Sequence, residues 1–139
     1  MRAANGLFLL LVATPGVYIL IVYVYLVTLE GPGFAADRPG FVQLLFLSLL
    51  AASFATLAVV VFTQTSKKFM AERARLNIIG WVFNVFAMGL ILSEALTIYG
   101  LLITLFSGSI IYVIGFALST WTCQLVVRTR FKQNLQRIP

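Results

Sequence analysis

Four stretches of the chain, residues 7–29, 41–63, 77–105 and 108–127, each run for twenty residues or more, and together they contain one charged side chain, Glu94. A bilayer's hydrocarbon core is about 30 Å thick, so a helix rising about 1.5 Å per residue needs about 20 apolar residues to cross it. Backbone amides in that core must bond within their own helix or around a closed barrel. The runs are continuous and do not alternate between lipid-facing and lumen-facing residues, which excludes barrel strands. The expected fold is all-α: one polytopic domain, residues 1–139, with four transmembrane helices over those ranges. A mean hydropathy of +1.03 and a 61% hydrophobic composition agree with this. Arg2 followed by an apolar run has the look of a secretory signal, but the run continues to Val27 without a small-residue cleavage site and reads as a retained helix.

Charge placement orients the bundle, because basic loops are retained on the cytoplasmic side. Arg2 precedes the first run. The next loop, "EGPGFAADRPG", holds Glu30, Asp37 and Arg38. The central loop carries Lys67, Lys68, Arg73 and Arg75 against Glu72, and the tail carries Arg128, Arg130, Lys132 and Arg137. Both termini and the central loop are therefore expected in the cytoplasm, in a bacterial plasma membrane by default or an organelle membrane as the alternative. The net charge of +6 is accounted for by topology and lipid headgroups, so membrane lipids are expected partners and nucleic acid is not.

Composition removes several chemistries. With no His and a single Cys, Cys123, His/Cys metal clusters and an internal disulfide are excluded by count. No phosphate-cradling glycine loop, Ser-His-Asp set or basic-aromatic surface is present. The chain is not expected to be an enzyme in its own right, and no cofactor or metal is expected. Cys123 reads as a small packing residue. Pro15 and Gly16 should loosen or kink the first helix. Among Tyr18, Tyr23, Tyr25 and Trp81, some read as interface anchors rather than ligand cages. In the second helix Ala51, Ala52, Ser53, Ala55, Thr56 and Ala58 form a small-residue patch suited to close helix packing.

Glu94 is the informative residue. The other acids fall in loops, so it is the one ionisable group of either sign near the middle of a membrane run. A carboxylate charge there costs several kcal/mol, which favours the neutral acid or a paired one. No Lys or Arg lies at the same depth, so its partners are neutral groups or a charge from another subunit. Thr97, three residues on, shares its helical face, whereas Tyr99 is offset in angle. Function and structure both remain open: a proton carrier, or a structural acid bonded to Ser53, Thr56 or a backbone carbonyl.

"EALTIYGLLITLF", Glu94 to Phe106, resembles the carboxylate-bearing helix of the rotor-ring c subunits, the proteolipids of F-type and V-type rotary ATPases, and "EALTIYGL" is especially similar to the chloroplast and cyanobacterial form. The resemblance implies that Glu94 is the ion-carrying carboxylate and that Tyr99 hydrogen bonds at that site. Ala95, where sodium-binding members place a hydroxyl residue, implies protons. In that family two helices are joined by a cytoplasmic loop, as the second and third runs are here. Residues 41–63 carry alanines and serines where the family has a glycine ladder, and the loop has "AERAR" in place of Arg-Gln-Pro.

Three functional expectations follow. The first is a proteolipid-like subunit carrying protons on Glu94, with Thr97 and Tyr99 at the site, in an oligomeric complex resembling a rotary ATPase. The second is a non-catalytic four-helix accessory subunit of a larger membrane complex. The third is a small homo-oligomeric channel lined by Glu94, Ser93 and Asn84. In each, the partners are other membrane subunits or copies of the chain itself.

Overall fold

The computed structural model describes residues 2–29, 33–65 and 78–136. Glu30, Lys67, Lys68, Glu72, Arg73, Arg75 and Arg137, which entered the topology argument, lie outside them. Four helices fill the described residues: α1 Arg2–Leu29, α2 Pro39–Thr65, α3 Ile78–Ser107 and α4 Ile111–Gln136. All four are long and apolar enough to cross a membrane, and among the described residues there is no strand. The protein is a multi-pass membrane protein, with four membrane-length helices among the described residues.

The outward faces explain why the apolar runs look unpatterned. Leu9, Leu10, Leu44, Phe54 and Ile111 are each about two-thirds exposed, a surface that water would drive to aggregate and lipid tails accept. The membrane-spanning part of α3 is far more buried inside the bundle than that of α2. The third helix is therefore the central one, packed against each of the other three, with α1 also lying on α4.

The α3–α4 seam follows a three-and-four-residue spacing. Phe86, Leu90, Ser93, Thr97, Gly100 and Thr104 are buried on α3; Val113, Phe116, Thr120, Gln124, Val127 and Phe131 are buried on α4. That spacing keeps one stripe of each helix facing its partner. Small residues and hydroxyls on α3 let the backbones approach, as membrane helix pairs require. At Gly100 an added Cβ would lie 2.6 Å from the Phe116 Cβ, so the bare backbone is what admits the phenyl ring. At Gly89 it would lie 2.7 Å from the Gln64 amide nitrogen, which donates to the Val85 carbonyl at 3.0 Å and ties α2 to α3.

The α3–α4 turn closes on Gly108, whose φ of 74° favours glycine. Its N–H caps the Thr104 carbonyl at 2.8 Å, while the Thr104 hydroxyl accepts from the Val113 N–H at 2.9 Å at the start of α4. The loop before α2 covers the same end: Phe34 and Ala35 N–H groups donate to the Leu105 and Phe106 carbonyls, both at 3.0 Å. Tyr25, Phe34, Phe106 and Phe41 form a chain of ring contacts there, 5.8–6.4 Å between centroids. Cys123 belongs to the buried core.

Boundaries differ from the sequence expectation chiefly at α4, which continues nine residues past 127. Residues 128–136 contain no Gly or Pro to end a helix, and Phe131 stacks on Phe86 at 4.3 Å. The expected basic tail is thus a helical extension. At the other end, α1 starts at Arg2 and continues without a break through Pro15 and Gly16, with the Pro15 side chain fully buried.

Candidate functional site

Proline at position 15 has no N–H, so the carbonyl four residues earlier, at Leu11, lacks the donor that an ordinary helix residue would supply. Such carbonyls are tolerated in membranes when neighbouring side chains bond to them. Here α4 supplies them. The Gln124 amide donates to the Leu11 carbonyl at 3.2 Å, and the Trp121 indole N–H donates to the Val12 carbonyl at 2.8 Å. Residues 121 and 124 are three apart and share a helical face.

Glu94 is the next component of this junction. Its carboxyl group is buried, with 8% of the residue exposed, and its Oε1 accepts from the same Gln124 amide nitrogen at 2.6 Å. An amide nitrogen has two hydrogens, so Gln124 bridges an α1 carbonyl and the α3 acid. Glu94 Oε2 and Gln124 Oε1 are buried and have no hydrogen-bond partner among the described residues. No cation pairs with Glu94: among the described residues the ion pair found is Arg38 with Asp37, on the exposed loop before α2.

One turn along, Thr97 and Thr120 share a hydrogen bond of 2.7 Å. Thr120 also lies within bonding distance of the Ser93 carbonyl, 3.2 Å, and the Phe116 carbonyl, 3.1 Å. The Ser93 hydroxyl donates to the Leu90 carbonyl at 2.6 Å. The acid therefore sits at one end of a short buried polar stripe along the α3–α4 seam, in surroundings that are otherwise hydrocarbon.

The residues singled out from the sequence divide between two interfaces. Glu94 and Thr97 face α4. Tyr99 faces α2, its hydroxyl 3.5 Å from that of Thr56. The partners expected for a structural acid lie elsewhere: Ser53 bonds the Leu49 carbonyl at 2.7 Å and Thr56 the Ala52 carbonyl at 2.9 Å, each within α2. Hydroxyls in membrane helices satisfy themselves on the preceding turn, which leaves the neutral amide of Gln124 as the bonding partner of Glu94. Ser93 and Glu94 are buried while Asn84 is exposed, so the three do not line a common space in the single chain. Ala51, Ala55 and Ala58 are likewise exposed on α2, a small-residue face left uncovered.

Gln124 and Trp121 were not singled out from the sequence. Pro15 was the available signal, since a proline inside a membrane helix implies a donor elsewhere for the carbonyl it frees. Comparison with known proteins gives no match: no family model, no curated protein and no solved structure aligns with this chain.

Proposed function

We propose that this protein is a proteolipid-like membrane subunit that carries a proton on Glu94 within an oligomeric membrane complex, the role implied by its resemblance to the rotor-ring c subunits. One observation carries the reading: a buried carboxyl group has one oxygen held by a neutral amide and the other without a partner among the described residues. The Gln124 N–H can donate to Oε1 whether the acid is ionised or protonated. Oε2 is then the atom that gains or loses the proton, and the site needs no rearrangement of Oε1 between the two states. Burial of Oε2 means that exchange takes place through water, a partner subunit or helix movement. The exposed alanine face of α2 supports association, because small residues let a second helix approach closely.

A second reading is favoured by the bond from Gln124 to the Leu11 carbonyl. In it, Glu94 is a structural acid that orients Gln124 and locks α1, α3 and α4 in an accessory subunit.

Glu94→Gln separates the two, since the amide keeps an oxygen for Gln124 and loses the exchangeable proton. A lipid-soluble carbodiimide, which reacts with protonated carboxyls, should modify Glu94 in the folded chain faster as pH falls. Glu94→Gln should remain assembled while abolishing proton movement by the native complex. Unchanged proton movement in that variant, or failure of Glu94 to react at any pH in the folded protein, would remove the proton-carrier reading.

A further inference from the structure

We infer that the end of the bundle where the chain begins holds a specific site for the phosphate of an anionic phospholipid, between α1, α3 and α4. A cavity of about 410 Å³ opens there, with Arg128 and Lys132 as its cations, Asn5 and Gln136 as neutral polar groups, and Phe8 and Phe131 on its apolar floor. Arg128 and Lys132 are four residues apart on α4, so both project from one face. The Arg128 guanidinium is held 4.1 Å above the Phe8 ring centroid, a cation–π contact that fixes the charge and leaves its N–H groups for an acceptor. No carboxylate among the described residues pairs with either cation.

Depth and shape identify the occupant. Arg128 directly follows the last residue of the apolar run, Val127, and Lys132 is one turn further, about 6 Å along the axis. Headgroups occupy that layer, some 5–8 Å beyond the hydrocarbon on each side. Basic pockets between membrane helices at this level bind anionic headgroups. The apolar floor of Phe8 and Phe131 beside the two cations suits a phosphate that carries acyl chains better than a free anion.

Native mass spectrometry of the full chain released from vesicles of phosphatidylcholine and phosphatidylglycerol tests the site. The wild type should retain phosphatidylglycerol in preference to phosphatidylcholine. Lys132→Gln, at an exposed position, should lower that preference about fivefold, and R128Q/K132Q about thirtyfold. Arg38→Gln, on the loop before α2, should leave it unchanged, and helical circular dichroism checks that each variant is folded. Equal retention of both lipids by the wild type, or an unchanged preference in Lys132→Gln, overturns the site. Complete displacement of the lipid by excess glycerophosphate overturns the lipid as occupant in favour of a soluble phosphate ester.

Discussion

Gln124→Leu keeps most of the side-chain volume at position 124 and removes the amide that serves two acceptors, the Leu11 carbonyl at 3.2 Å and Glu94 Oε1 at 2.6 Å. Hydrogen bonds between membrane helices average about 0.6 kcal/mol and reach about 1.7 kcal/mol. Losing both should destabilise the bundle by about 1–2 kcal/mol. The structure makes a sharper claim when this change is combined with Pro15→Ala. Alanine restores an N–H at position 15, and the Leu11 carbonyl then has a donor in its own helix. In that background Gln124→Leu strands one acceptor instead of two, so its cost should fall by about 0.6 kcal/mol. The assay is a double-mutant cycle on reversible unfolding in mixed lipid–detergent micelles, with helicity followed by circular dichroism. An equal cost of Gln124→Leu in both backgrounds, with a coupling energy indistinguishable from zero, would refute the claim that Gln124 serves the carbonyl freed by proline.

Gly100→Ala places a methyl 2.6 Å from the Phe116 Cβ and 3.1 Å from the Val113 Cα; forcing α3 and α4 apart should cost about 1–3 kcal/mol in the same unfolding assay. Thr120→Val removes the hydroxyl that meets Thr97 and the Ser93 carbonyl and should cost about 0.6–1.7 kcal/mol, whereas Ser119→Ala, at an exposed position, should be near neutral. For topology, Asp37→Cys in a Cys123→Ala chain should react with a membrane-impermeant thiol reagent in intact cells, and Gln136→Cys should react only after the membrane is opened; the reverse pattern would invert the orientation assigned to the bundle.

The helices were legible because the solvent imposes them: only a helix satisfies the backbone across an apolar run of that length. The end of α4 was not, because Arg128, Arg130 and Lys132 mark where the apolar run stops and do not stop a helix, which continues to Gln136. Glu94 stood out by elimination, as the one acid within the apolar runs. Its bonding partner lies thirty residues away on α4. That pairing is set by the register of one helix on another, and nothing local to either segment encodes it. The Leu11 carbonyl was harder to read, since a backbone acceptor has no letter of its own and only Pro15 betrays it. Tyr99 shows the limit of a short motif: five residues beyond Glu94 it turns toward α2 and meets Thr56, a direction fixed by helical angle.

The proposed role of Glu94 requires its carboxyl group to gain and lose a proton inside the membrane. Infrared difference spectra of the full chain in lipid, recorded against pH from about 4 to about 10 and compared with Glu94→Gln, measure this directly. A protonated-carboxyl band that appears and disappears reversibly in the wild type and is missing from the variant is the predicted result. A carboxyl that holds one protonation state throughout that range, in a chain that stays folded, would contradict it.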